Sequence, residues 1–410
     1  MAVKTKFQSK DYLKAIPLSI LLASSCSIAA GELSGNISLE GRYFNSAGAF
    51  PDQQKKGGFS LSLQPEYKHK WDNDRSRFTF SPFYRWDEKD KERTHADIRQ
   101  LDIVKSKGDW EFQAGIGKVY WGVAESQHLV DVINQTDAVE GTDGEDKLGQ
   151  PLFRVSRLSD NGSLDLYVLP YFRERTFAGA KGRFRTPLVV DTKNATYESS
   201  RKEKHVDYAV RWSETVDELD IGVHYFNGTS RSPVFNPIIK NGIAVGLRPH
   251  YPLMNQIGVD LQYTGEETIW KFEGIGRNYN KVSGLKDYTA MVVGFEHSLP
   301  LLSDSGLEMT LLGEYHHDSR GEVANAPFQN DVFVGSRLSF NDAESTELLA
   351  GAFVDMDNGS KSLRVEGSRR IGKGLKLNVE GQVFTDVDNK DPLKIFQQDD
   401  YLQVELQKYF

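Results

Sequence analysis

The chain has 410 residues, 26% of them charged, a formal net charge of −8 and a mean hydropathy of −0.50. So acidic a chain is a poor partner for nucleic acid, and past its first thirty residues no apolar run approaches the ~20 residues of a spanning helix. Two classes survive: a soluble secreted protein, and a membrane barrel whose strands hide their lipophilicity because only alternate residues face lipid.

Residues 1–29 have the pattern of a secretory signal peptide. Lys4, Lys6, Lys10 and Lys14 form a basic lead, "AIPLSILLA" an apolar centre, and "SSCSIAAGE" a small-residue stretch suited to cleavage after Ala29 or Ala30. Cys26 has Ala23 three residues before it, where a lipoprotein signal carries a large aliphatic residue, so it leaves with the leader. The remainder, 31–410, then has no cysteine and hence neither disulfide nor thiol nucleophile, which suits an oxidising envelope compartment. Because the leader holds four lysines and one aspartate, the remainder carries −11.

Alternation begins soon after. "GFSLSLQPEYKHKW" puts Phe59, Leu61, Leu63, Pro65 and Tyr67 in one phase and Ser60, Ser62, Gln64, Glu66 and Lys68 in the other; "RFTFSPFYRW" and "DWEFQAGIGKVY" repeat the pattern. A period of two predicts half-buried strands. "HADIRQLDIV" changes phase midway, the signature of a bulge. In all, about eighteen strands are expected, sixteen being the alternative, each of roughly 9–14 residues, near the span of a tilted membrane strand. Short joins such as "DNDR", "SKG", "SDNG" and "IGKG" alternate with long ones at 45–57, 87–93, 121–150, 174–204, 228–251, 279–285, 318–329 and 386–397. Tight turns on one side and long loops on the other predict an antiparallel transmembrane β-barrel, closed because lipid cannot satisfy edge amides. Aromatic residues at strand ends (Tyr43, Phe44, Trp71, Trp86, Trp110, Tyr120, Trp121, Trp270) fit interfacial girdles.

The join 121–150 stands out. Glu125, Asp131, Asp137, Glu140, Asp143, Glu145 and Asp146 oppose one lysine. Ser126 is placed to cap a short helix, with Leu129, Val130 and Ile133 as its apolar stripe. Three readings compete: a solvated outer loop, an acidic constriction folded into the lumen, and a calcium loop at Asp143, Glu145 and Asp146. The last lacks the regular D-x-D-x-D-G spacing. By phase, the wall away from lipid carries Lys68, Arg77, Arg85, Arg99, Arg173, Arg211, Arg337 and Arg364, along with acids such as Glu111, Asp260 and Glu273. A basic residue facing lipid at mid-membrane costs ~2–4 kcal/mol, so these line water.

His317 and Ser319 sit two apart in "EYHHDSRGE" and share a phase. That pair resembles the dyad of outer-membrane phospholipases and lipid A deacylases, whose histidine serves as base toward the serine. Arg320 follows where the phospholipases carry asparagine. Nothing else looks catalytic, and no metal or cofactor motif is present, so the expected protein is not an enzyme.

The chain stops at "YLQVELQKYF", with Leu402, Val404, Leu406 and Phe410 in one phase and Tyr401 opening the strand. A terminal strand of this kind resembles the assembly signal of bacterial outer-membrane β-barrels. The whole of 31–410 is similar in architecture to the general porins, including the place of its third long join, which in porins folds inward and narrows the pore. The resemblance implies a passive diffusion channel for small hydrophilic solutes in the outer membrane of a Gram-negative bacterium. It also implies contact with outer-membrane lipid and lipopolysaccharide, recognition by the barrel-assembly machinery, and a homotrimer as the oligomer to test. The competing functions are a selective or export channel for an oligosaccharide or carboxylate, and a lipid hydrolase using His317 and Ser319.

Overall fold

An alternating segment has one greasy and one wet face, and in hydrocarbon its edge amides find partners only if the sheet closes. The computed structural model, which describes residues 31–280, 283–299, 306–324 and 326–410, closes such a sheet. Its strands, in chain order, are β1 (Gly31–Phe44), β2 (Gly57–Trp71), β3 (Ser76–Asp87), β4 (His95–Lys107), β5 (Trp110–Gly117), β6 (Gln150–Leu158), β7 (Gly162–Leu169) and β8 (Thr196–Tyr197). There follow β9 (Asp207–Val216), β10 (Leu219–Thr229), β11 (Val234–Lys240), β12 (Ile243–Tyr251), β13 (Leu253–Thr264), β14 (Thr268–Tyr279) and β15 (Tyr288–Leu299). The last six are β16 (Glu308–Asp318), β17 (Asn330–Ser339), β18 (Glu347–Asp355), β19 (Lys361–Arg370), β20 (Leu375–Thr385) and β21 (Tyr401–Tyr409).

Eighteen of these form one antiparallel barrel in sequence order; β8, β11 and β12 form a small separate sheet in the outer loops. The expected count of eighteen is met, and sixteen is excluded. The seam is β1 against β21, from Asn36 opposite Tyr409 to Phe44 opposite Tyr401. Gly35 and Phe410 extend it by exchanging N–H···O bonds of 3.1 Å. The predicted leader lies outside the described residues.

Phase sorts the side chains as alternation requires. Phe59, Leu61 and Leu63 point out, while Ser60 and Ser62 are buried on the lumen side. Leu402, Val404, Leu406 and Phe410 all face out, whereas Tyr401 is buried inside. Trp71, Trp86, Trp110 and Trp270 are exposed on the outer surface. Phe44 and Trp121 are not girdle residues: Phe44 packs inward on Phe184 and Tyr401, and Trp121 packs inward on Tyr167. The bulge in β4 is at Arg99. Ser81 pairs with Gln100 and Pro82 with Ile98, leaving Arg99 without a partner opposite. Before it Asp97 and Arg99 face the lumen; after it Asp102 and Val104 do.

One outer loop crosses the mouth. Residues 170–206 leave β7 and are fastened far around the ring. Gly179 N–H donates to Asp90 (2.9 Å), and Arg185 Nη2 donates to Pro51 C=O (2.7 Å). Arg183, buried, bonds Asp399 (2.5 Å) and the carbonyls of Ser46, Gln54 and Gln398. Arg173, expected on the wall, stands past the end of β7 at the root of this loop, because β7 stops at Leu169.

Candidate functional site

Residues 118–149 join β5 to β6 and contain no helix. Ser126 caps nothing: its Oγ donates to Glu314 and lies 2.9 Å from His316 Nε2. The reason is that the backbone here already has acceptors. Glu273, fully buried on β14, accepts the N–H groups of Val123 (2.7 Å), Ala124 (2.9 Å) and Val130 (3.2 Å). Glu314 on β16 accepts those of Glu125 (2.5 Å) and Ser126 (3.1 Å). With its donors held by wall carboxylates, the segment has no need of the i→i−4 ladder. Gly122 makes the approach possible. Its φ is +122°, and a Cβ there would lie 2.6 Å from Glu273 Oε1. Further on the loop doubles back, Asp137 N–H bonding Asp146 C=O (2.7 Å) and Leu148 N–H bonding Gln135 C=O (2.8 Å).

The expected apolar stripe is present without the helix. Val130 and Ile133 are almost fully buried, packed with Trp121 on Leu152, Tyr167, Phe226, Met254 and Ile275; Leu129 is only partly buried against the same cluster, and Val132, not in the expected stripe, is buried in it. Each such side chain contributes about 1.5–3 kcal/mol of burial. This apolar flank rests on the lumen side of β6 to β15.

The acids occupy the remaining surface. Asp137 meets Arg99 (2.6 Å), and Glu140 meets Arg85 (2.8 Å). Glu125 meets Arg337 (2.5 Å) on β17, and Asp143 meets Arg364 (2.7 Å) on β19. These partners lie on opposite sides of the ring, so the segment lies within it. Asp131 instead pairs inside the loop with Lys147 (3.1 Å), and Glu145 faces His128 (3.4 Å). Among the described residues Asp146 forms no ion pair. Of the other wall residues, Arg173 reaches Asp97 (2.7 Å) and Gly149 C=O (2.9 Å). Arg211 grips Asp260 with two 2.7 Å bonds and lies over Trp121. Lys68 pairs with Glu66 (2.5 Å), and Arg77 forms no ion pair among the described residues.

Several participants carry no sequence signal of their role. Arg93, from the join before β4, bonds Glu40 and Asp87 and donates to Val139 C=O of the loop (2.9 Å). Arg85 shares Glu40 with it (3.0 Å). His95 Nε2 lies 3.0 Å from Asp137 and 3.7 Å from Glu140, close enough to suggest a metal triad. Arg99 and Arg85 already occupy those carboxylates, and two guanidinium groups repel a cation, so the group is an ion-pair network. Asp143 and Glu145, spoken for by Arg364 and His128, likewise make no calcium loop with Asp146.

Within the loop, burial works against the charge of Asp137, but His95, Arg99 and Thr176 outweigh it and hold the carboxyl well below its usual range. Bonds to Glu145 and Glu273 raise the His128 imidazole to about 10, so it is a cation at neutral pH. Asp146 is pushed up to about 7 by desolvation within the barrel and by the neighbouring Glu140 and Asp143. Its side chain still touches lumen water, which limits that rise.

His317 and Ser319 do not form a dyad. No hydrogen bond joins them, and Ser319 Oγ instead accepts the Thr289 N–H (3.0 Å).

Between the loop and the lumen face of β14 to β20 lies a cavity of about 1130 Å³. Its loop side presents Ser126, His128, Asp143 and Glu145, and its wall side Arg277, Tyr288, Phe333, Phe353 and Arg364.

No family model and no curated protein matches this chain. Solved structures do. OccD3 (OpdP) of Pseudomonas aeruginosa is 12% identical, with a TM-score of 0.52 over 92% of this chain and 91% of that one. OpdQ of the same species is 10% identical, with a TM-score of 0.49 over 93% and 96%. A variant of the Rh. blastica porin is 11% identical, with a TM-score of 0.45 over 93% and 100%. At such identities the likeness concerns fold, and of the three the OccD3 superposition supports it: this chain shares the barrel fold of that protein.

Proposed function

We propose that the protein is an outer-membrane channel for passive diffusion of small hydrophilic solutes, with residues 118–149 as its constriction. The observation that carries this reading is the one-sided filling of the ring. The loop covers the lumen face of β6 to β15, and a cavity of about 1130 Å³ remains against β14 to β20. Eighteen strands enclose more space than wall side chains can fill, and here a loop fills part of it. Acids on the loop facing arginines on the wall set a transverse field that favours dipolar solutes. Residues 1–29 would direct export, the outward Leu402, Val404, Leu406 and Phe410 would present the assembly signal, and the belt of Phe59, Leu61 and Leu63 would meet lipid and lipopolysaccharide. In this reading the protein is not an enzyme, and its oligomer, a homotrimer by porin analogy, is open to sizing in detergent.

The test is single-channel recording in planar bilayers. The purified chain should give open, ohmic current, and excision of 125–146 should raise it. A silent bilayer, or a current indifferent to that excision, would refute the proposal.

A further inference from the structure

Among the described residues, the outer rim between β16 and β18 holds two buried carboxylates that no lysine or arginine pairs. Asp331 and Asp355 stand directly opposite each other on β17 and β18. Both face the lumen side and both are 2% exposed. Like charges directly opposed across strands repel, and burial in low dielectric sharpens that repulsion. Among the described residues their hydrogen-bond partners are neutral donors only. Asp331 Oδ2 accepts the N–H of Gln329 (2.7 Å) and of Asn330 (3.1 Å), which leaves Oδ1 open. Asp355 accepts the N–H of Asp357 (2.7 Å) and of Asn358 (3.0 Å), and the side-chain amide of Asn358 (2.9 Å). Asp391, also buried, approaches through the same Asn358 amide (3.4 Å).

Available cations are engaged elsewhere. Arg320 takes both oxygens of Asp318 (2.9 and 2.6 Å). His316, opposite Asp331 on β16, turns its Nε2 to Ser126; its buried Nδ1 makes no hydrogen bond, and any charge on the ring would only partly offset two carboxylates. Among the described residues no lysine, arginine or histidine forms an ion pair with Asp331 or Asp355.

A second observation points to what is missing. Gln329, 2% exposed, donates its amide to Asp355 Oδ2 (3.0 Å), and its buried amide oxygen has no partner. Flipping the amide would set that oxygen against the carboxylate, so the orientation is fixed and a bare carbonyl oxygen remains on the amide that Asp355 holds. An orphaned buried acceptor among uncompensated acids calls for a cation.

We propose that a calcium ion binds at this corner through Asp331, Asp355 and the Gln329 carbonyl. The donors are all hard oxygens, carboxylate and amide together, a set that suits calcium's irregular shell better than the octahedron of magnesium or the nitrogen and sulfur preferences of zinc. The ion would tie the join 319–329 to β18. That join carries Phe328, whose ring stacks on Phe353 at 3.9 Å, and both rings line the cavity. Calcium at the rim would thus hold one wall of the passage in shape.

The experiment is equilibrium dialysis of the detergent-solubilised full chain against radioactive calcium, with hydrogen exchange followed at 329–331 and 355–360. One ion per chain is expected, lost in Asp331→Asn and in Asp355→Asn. Millimolar calcium should slow exchange in those segments at least tenfold in the native chain. Without calcium the order should invert, Asp331→Asn exchanging more slowly than the native chain because the repulsion is gone. Absence of binding, unchanged binding in both variants, or native exchange that responds to acid but not to calcium (a proton shared by the pair) would each overturn the proposal. None of these readouts depends on conductance, so failure here is distinct from failure of the channel reading.

Discussion

Toward β3 and β4 the lumen loop meets guanidinium groups; toward β14 and β16 it meets two glutamates. On the first flank Arg85, Arg93 and Arg99 take Glu140, the Val139 carbonyl and Asp137, while sharing Glu40 and Asp97 behind them. On the second, Glu273 and Glu314 accept backbone N–H groups. The arginine flank depends on which side chains the loop carries. The glutamate flank rests first on where its backbone runs, with Ser126 adding a hydroxyl to Glu314 and His128 an imidazole to Glu273. The three backbone bonds to Glu273 would therefore survive a change of side chain at Val123 or Ala124, whereas 137–140 is bound to its acids.

Substitutions should separate the flanks. Arg99→Ala should have the largest effect, because it leaves buried Asp137 with only His95 and Thr176 and buried Asp97 with only Arg173 and the Gly149 N–H; the loss should approach that of a broken buried pair, about 3–5 kcal/mol. A fall in the denaturant midpoint with earlier protease cleavage in 118–149 is expected, and an unchanged midpoint would mean that water reaches these acids. Glu273→Gln should come next, leaving N–H donors unmatched at about 1–3 kcal/mol, with noisier and larger single-channel current. Gly122→Ala should act in the same direction at about 1–3 kcal/mol, from a left-handed φ and crowding against Glu273. If its recordings stay quiet, the close approach is not what positions the loop. Asp143→Asn, whose partner Arg364 is partly exposed, should change stability by only ~0–1 kcal/mol and be visible mainly as weaker cation selectivity.

Acidity sharpens the comparison differently. His128 has its pKa raised from 6.5 to about 10, so its clamp on Glu145 and Glu273 is at full strength below 6.5 and is lost as pH climbs through about 10. Asp146, raised from 3.8 to about 7, favours the folded loop most when protonated, and that advantage drains away between 3.8 and 7. Cation selectivity should therefore grow between pH 6 and 8 and lose that step in Asp146→Asn. Loop noise should increase only near pH 10, and His128→Gln should show it already at pH 7.

Strand phase was legible because it is a local property: Phe59 and Ser60 need only their neighbours to declare their sides. The bulge at Arg99 was legible for the same reason, as a slip between Arg99 and Asp102. The acids of the loop could be named but their partners could not, since Glu125 and Arg337 lie 212 residues apart. The mistaken helix shows the limit most clearly. Ser126 and its apolar stripe suit a helix by every local rule, and what overrides them is a pair of glutamates contributed by distant strands. An inward-phase glutamate such as Glu273 is visible in the sequence, but not the fact that it accepts main-chain bonds. Arg173 was misplaced because the strand pattern was read on through Tyr171 and Phe172, although Pro170, which has no N–H for the ladder, marks where β7 ends.

The clasp of Arg183 also fixes an order of events. Its acceptors include Asp399 and the Gln398 carbonyl, in the connection just before the last strand. The crossing segment 170–187 therefore cannot lock until the C-terminal hairpin has arrived, some two hundred residues after it. While the wall is still open at the β1–β21 seam, the mouth is open too, and sealing the side and roofing the top become a single late step in maturation.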